Sequence, residues 1–259
     1  MTELEYKKGG GESSPIFPDK IKKQRTSSKA VVIACVCVAV FVLLLLSPIF
    51  NISEITVVGN DRLDAEAVIK ASGITVGTNV FKVNTAKSEK QLSTMAFVDK
   101  VNVMRKFPAK IEIHVTESKE IAYIFFIGNY VGIDETGKIL EIKPKDAQLE
   151  LPIILGTNVT EFGMGNQIKI DDSAKQEAIF QILKQININE MQALIKNIDV
   201  ADLEDIKFFT AAESTVNIGT MDDIIYKISF LKKILEEPGD KRGAVIDMTN
   251  PEKVTYRGS

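Results

Sequence analysis

The chain has 259 residues, 45% hydrophobic and 26% charged, which is enough apolar material for packed cores and too much for wholesale disorder. Its 32 basic and 35 acidic residues leave a net charge of -3, against a general nucleic-acid binder, which needs a basic surplus to displace phosphate counterions. Two cysteines, Cys35 and Cys37, and one histidine, His114, argue against zinc sites, disulfide scaffolds and any triad using two imidazoles. Composition therefore predicts a binding or structural role, with no catalytic residue, metal, cofactor or small-molecule substrate.

Charge is unevenly distributed. Residues 1–29 contain seven Lys/Arg and four Asp/Glu, including the run Lys20, Lys22, Lys23, Arg25 and Lys29. With its Gly9-Gly10-Gly11 triplet and no periodicity, this tail is expected to be disordered and to lie in the cytoplasm. Residues 30–46 are entirely apolar, and no charge appears before Glu54. As a helix, residues 30–50 would span about 31 Å, matching a hydrocarbon core of about 30 Å. A cleavable signal peptide would have a shorter apolar run and a small-x-small site, where this chain has Ser47-Pro48-Ile49-Phe50-Asn51. The expectation is one uncleaved anchor through the lipid bilayer, residues 30–50. Basic residues before it place the N-terminus inside and everything from about residue 51 outside.

The outer part opens with Ile52, Ile55, Val57 and Val58, a short strand ended by Gly59-Asn60. Leu63, Ala67, Val68 and Ala71 then have helical spacing, with Gly73 as a C-cap, and a second helix is predicted over 85–95. Val101 and Val103, then Ile111, Ile113 and Val115, alternate with polar residues on either side of Phe107-Pro108, an antiparallel hairpin. Strand, helix, helix, strand, strand puts two helices on one face of a three-stranded sheet.

From Glu120 the pattern becomes a meander: strands over 121–127, 130–133 and 138–142, with turns at Gly128-Asn129 and 134–137. Leu151-Pro152-Ile153-Ile154-Leu155-Gly156 is extended and proline-limited, which suggests an edge strand. Amphipathic helices are expected over 174–186 and 224–235, and further strands over 195–200, 205–210, 215–218, 244–246 and 254–256. The fold class is α+β: a single N-terminal transmembrane helix, a small strand-helix-helix-strand-strand domain over 51–118, and a mixed, mainly antiparallel β domain with two helices over 119–259. The short polar junction predicts that these two domains fold separately.

Ile55-Thr56-Val57-Val58-Gly59-Asn60 resembles the opening strand and turn of a POTRA domain of the FtsQ/DivIB type. The stretch from Phe97 to Glu117 resembles the same domain's V-x-x-V-x-V-x-R-x-[FW]-P pattern followed by an alternating strand and Glu. The motif residues are Val57, Gly59, Val101, Val103, Arg105 and Pro108. Val131-Gly132-Ile133-Asp134 with Gly137, the Leu151-Pro152 segment, and the closing strands over 243–247 and 254–257 resemble the family's second domain. Ser118-Lys119-Glu120 departs from the family's usual Arg and Pro, which implies a looser junction. The resemblance implies a bitopic bacterial division protein, with no catalysis, that binds FtsL-type and FtsB/DivIC-type partners at the septum and regulates septal peptidoglycan synthesis.

Within that reading, residues 254–257 form a terminal strand whose free backbone row suits strand addition. The resemblance implies that the FtsB/DivIC-type partner docks there, on Val254, Tyr256 and Arg257. Two other functions fit less of the sequence: a generic membrane-anchored surface binding module, and a Ser-Lys peptidase built on Ser93-Thr94-Met95 with Gly239-Asp240. The second requires a desolvated lysine within reach of Ser93. His114 has no companion ligand. Asp171-Asp172 and Asp222-Asp223 precede helices and are expected to cap them.

Overall fold

The computed structural model describes residues 28–239, 241–250 and 252–258. The disordered tail expected over 1–29 therefore falls almost wholly outside the described residues, as do Asp240 and Pro251. Two compact units result, 1–47 and 48–259. In the first, helix α1 (Ser28–Leu45) contains no acid and buries none of its residues. It is long and apolar enough to cross a membrane. The apolar run predicts this helix; Ser47-Pro48 ends it earlier than expected, and Pro48–Phe50 forms a separate 3₁₀ turn.

The second unit begins with β1 (Glu54–Val58), α2 (Ala65–Ser72), α3 (Thr85–Leu92), β2 (Val98–Lys106) and β3 (Lys110–Glu117). Asp64 caps α2 by accepting from the Ala67 N–H, and Gly73 closes it at φ 67°, where a left-handed residue is needed. The sheet order is β1-β3-β2, with β1 parallel to β3 and β2 antiparallel to it. Ile111, Ile113 and Val115 alternate inward and meet Val68 and Leu92 from the helices, a core separate from that of the following domain.

That second core underlies a nine-stranded sheet. Its strands are β4 (Ala122–Phe126), β5 (Asn129–Ile133), β6 (Ile139–Pro144), β7 (Ile153–Leu155), β10 (Ile195–Asp199), β11 (Ile206–Thr210), β12 (Thr215–Gly219), β13 (Val245–Asp247) and β14 (Thr255–Arg257). A small hairpin of β8 (Val159–Glu161) and β9 (Lys169–Ile170), absent from the expected elements, stands apart. Helices α4 (Ser173–Ile188) and α5 (Ile224–Glu236) bury Ile179, Ile182, Leu183, Ile228 and Leu231 in this core.

The order is β14-β13-β12-β11-β10-β7-β4-β5-β6, so β7 is interior, parallel to both β4 and β10. This corrects the edge expected from Pro152. The proline precedes the strand, where its missing N–H costs nothing, and its carbonyl accepts from the Tyr123 N–H at 2.8 Å. The aspartate pairs divide as well. Asp172 caps α4 through the Ala174 and Lys175 N–H groups, but Asp223 has φ 54° and makes no side-chain cap bond.

The junction between the two domains is stitched, contrary to the looseness implied by Ser118-Lys119-Glu120. Ser118 is buried and donates to Asp134 Oδ2 at 3.0 Å. Arg62 forks onto both Glu120 carboxylate oxygens at 3.0 and 2.8 Å. Glu117 accepts the N–H groups of Asp61, Arg62 and Leu63 at 2.8, 3.0 and 2.8 Å. Desolvation pushes the Glu117 pKa up, but these three donors outweigh it and hold the carboxyl below its ordinary value.

Candidate partner-binding site

Strand β14 stands at one end of the nine-stranded sheet. It pairs antiparallel with β13 in the register Val245↔Arg257, Ile246↔Tyr256 and Asp247↔Thr255, and no strand lies on its other side among the described residues. The preceding turn is built by short polar side chains. Asp247 accepts from the Thr249 N–H at 3.0 Å and its hydroxyl at 2.7 Å, and Asn250 Oδ1 accepts from the Glu252 N–H at 3.0 Å. The Thr249 hydroxyl, then its N–H and the Arg257 charge, hold the Asp247 carboxyl below its ordinary range.

The three nominated residues do not play equal parts. Val254 is half-buried against the domain core, whereas Tyr256 and Arg257 are exposed. Tyr256 stands across from the buried Ile246 yet keeps 49% of its surface open, an aromatic side chain at the sheet margin.

The motif residues gather in the three-stranded sheet. Val57 and Val101 are half-buried beside that core and Val103 is inside it. The Val103 N–H donates to Glu89 Oε1 at 2.8 Å. Gly59 has φ 85°, and a Cβ there would lie 2.3 Å from the Val115 carbonyl oxygen, so only glycine can turn the chain off β1. Arg105 donates through Nε to the Val80 carbonyl at 3.1 Å and through Nη2 to the Val83 carbonyl at 2.6 Å, binding the 3₁₀ turn Val80–Lys82 to β2. Pro108 is exposed in the β2–β3 turn.

Two ammonium groups escaped sequence reasoning. Lys138, just before β6, donates to the Ser93 and Val98 carbonyls at 2.8 and 2.6 Å, crossing from the second domain into the first. Burial lowers its pKa, against the opposite pull of Asp134 and Asp99. Lys227 is only 1% exposed, donates to the Ile218 and Thr220 carbonyls at 2.9 and 3.1 Å, and is likewise shifted down by burial. Its position in the stripe Ile224, Ile228, Leu231 is the signal that reveals it: a lysine at helical spacing among core residues. For Lys138, no local pattern exists.

Ser93 supports no dyad. Its hydroxyl donates to the Lys90 carbonyl at 2.9 Å, and Lys138 meets its carbonyl instead. His114 is half-buried and bonds to the Glu112 carboxylate two residues away. No group of three or more His, Cys, Asp or Glu that could hold a metal occurs among the described residues.

A family model described as POTRA domain, FtsQ-type, matches residues 50–118. With the apolar helix before it and the mixed β domain after it, the class is that of a POTRA-bearing protein with one apolar N-terminal helix. Among curated relatives, the cell division protein DivIB of Clostridium botulinum (strain Hall) is 28% identical over 223 residues, covering 84% of this chain and 85% of that protein. DivIB of Clostridium acetobutylicum is 29% identical over 212 residues, 81% of this chain and 84% of that one. DivIB of Bacillus anthracis is 38% identical over 104 residues, 40% and 39% of the two chains. A looser likeness, at 14% identity and TM-score 0.30, covers 54% of this chain and 99% of the solved major extracytoplasmic domain of DivIB from Geobacillus stearothermophilus. Over most of its length the chain is thus similar to DivIB cell division proteins, and its residues 50–118 match the FtsQ-type POTRA domain.

Proposed function

We propose that this protein is a single-pass division scaffold. Its N-terminus is cytoplasmic, α1 crosses the membrane, and the two following domains, 51–118 and 119–259, lie outside at the septum. There it binds FtsL-type and FtsB/DivIC-type proteins and regulates septal peptidoglycan synthesis. The similarity to DivIB proteins, the basic residues before α1 and the uncharged flank after it support the topology. The separate cores of the two domains support the division at the junction.

The observation that carries the binding role is strand β14 at the end of the sheet, beyond which no strand lies among the described residues, with Tyr256 and Arg257 exposed. A partner segment adding as a tenth strand would take affinity from backbone hydrogen bonds and specificity from those side chains. A chain ending at Glu252, tested by pull-down with the FtsB/DivIC-type protein, should reach the membrane but lose that partner. Capture equal to the full chain's would overturn the assignment of the site. External protease on spheroplasts should remove both outer domains; their protection would overturn the topology.

A further inference from the structure

Three phenylalanines from separate segments meet at one end of the POTRA domain. Phe50 closes the 3₁₀ turn after α1, Phe81 lies in the turn Val80–Lys82, and Phe107 lies in the β2–β3 connection. Ring centroids are 5.2 Å apart for Phe50–Phe81 and 5.4 Å for Phe81–Phe107. Phe81 remains 43% exposed and Phe107 61%. The cluster is held rigidly: Arg105 clamps both ends of the turn bearing Phe81, the Ile52 N–H donates to the Thr78 carbonyl at 2.9 Å, and the Ser53 N–H donates to the Ala109 carbonyl at 2.8 Å. Two large exposed rings, fixed in place beside half-buried Phe50, form an apolar patch that calls for an occupant.

The chain itself names one. Phe50 follows Leu45, the last residue of α1, by five positions, so at full extension it lies at most about 18 Å from the end of the apolar helix. The headgroup layer on each side of a bilayer is roughly 5–8 Å deep, and aromatic and other large apolar side chains favour that layer. We propose that Phe50, Phe81 and Phe107 dock the POTRA domain into the headgroup layer of the membrane crossed by α1, on the side that carries the outer domains. The inference rests on the single-span reading above. Lys106 is matched with Glu112 at 3.2 Å and Lys110 with Glu54 at 2.5 Å, which leaves exposed Lys82 beside Phe81 as the one nearby lysine without an ion pair among the described residues; the rings carry the docking, so it is tested on neutral lipid.

The sequence contains no tryptophan, so one introduced indole is the sole reporter. Full-length chain carrying Phe107→Trp would be reconstituted in phosphatidylcholine vesicles whose acyl chains bear bromine near the headgroup end. The expected result is a blue-shifted emission that loses about half its intensity to the brominated lipid. Ile225→Trp, on α5 of the second domain and 62% exposed, should stay unquenched. Val38→Trp, inside α1, tests the anchor separately. If Val38→Trp is quenched and Phe107→Trp is not, docking is wrong and the anchor stands. If neither is quenched, the single-span reading falls and docking with it. Adding Phe81→Ser should weaken quenching at position 107, and unchanged quenching would overturn the role of the cluster as a unit.

Discussion

The two ends of the nine-stranded sheet present the same backbone chemistry and meet opposite fates. At the β6 end, the Ile139 N–H donates to Asn166 and the Gly165 N–H returns to Ile139, both at 2.9 Å, so part of the edge is covered by the chain itself. Pro144 ends that strand without a donor, and Lys138 carries the same end into the POTRA domain. Gly165 packs so tightly there that a Cβ would lie 2.1 Å from the Thr94 carbonyl oxygen. At the other end, β14 is three residues long and has no strand beyond it among the described residues. Proteins blunt open edges because unpaired strands invite other chains. One edge of this sheet joins two domains, and the other is the place proposed above for strand addition.

This contrast can be broken most forcefully from the middle of the sheet. Ile154→Ala, in the buried strand β7 that unites the two halves, should cost about 2–5 kcal/mol, whereas Ile142→Ala on the exposed face of β6 should stay within about 0.5 kcal/mol. Urea melts of the detergent-solubilised chain compare them, and equal losses would mean that β7 is not the keystone of the sheet. A smaller effect separates the edges. Tyr256→Ala should weaken capture of the FtsB/DivIC-type partner by at least about 1 kcal/mol, roughly fivefold, with Ile142→Ala as the unaffected comparison. Equal affinity for both variants would leave the ends indistinguishable.

The ends should also respond at opposite extremes of pH. Burial sets the folded pKa of Lys138 below its unfolded value of about 10.4, so between those values the unfolded chain holds more protons and stability climbs with pH. Lys138→Met should remove that alkaline rise from melts recorded across the window, and a rise that persists undiminished would exclude Lys138 as its source. Asp247, beside β14, is also shifted down, here by the Thr249 hydroxyl and N–H rather than by burial. Its stabilisation is complete above the unfolded pKa of about 3.9 and is lost as pH falls through the folded value. Asp247→Asn should therefore flatten the acid limb slightly, the smallest effect of the four, and an unaltered acid limb would count against it.

Much of this architecture was legible along the chain. The uncharged run over 30–46 specifies an apolar helix, Asp64 and Gly73 bracket α2, and the alternation around Phe107-Pro108 specifies the β2–β3 hairpin with its inward face. Each of these rests on periodicity and caps, which act between residues a few positions apart, so the sequence alone determines them. The terminal strand and its exposed Tyr256 were legible for the same reason, since β13 and β14 are joined by a short polar turn. Tertiary structure decided what depends on distant neighbours. Pro152 signals an edge, yet β7 pairs with β4 and with β10 some forty residues later, and a proline just before the strand cannot reveal either partner. Asp223 has the local look of a cap, but its left-handed backbone removes the bond. Lys138 finds the Ser93 and Val98 carbonyls only when two domains with separate cores come together. Local propensity sets which elements form, whereas the pairing of strands and the fate of their edges are set by contacts that no window of sequence contains.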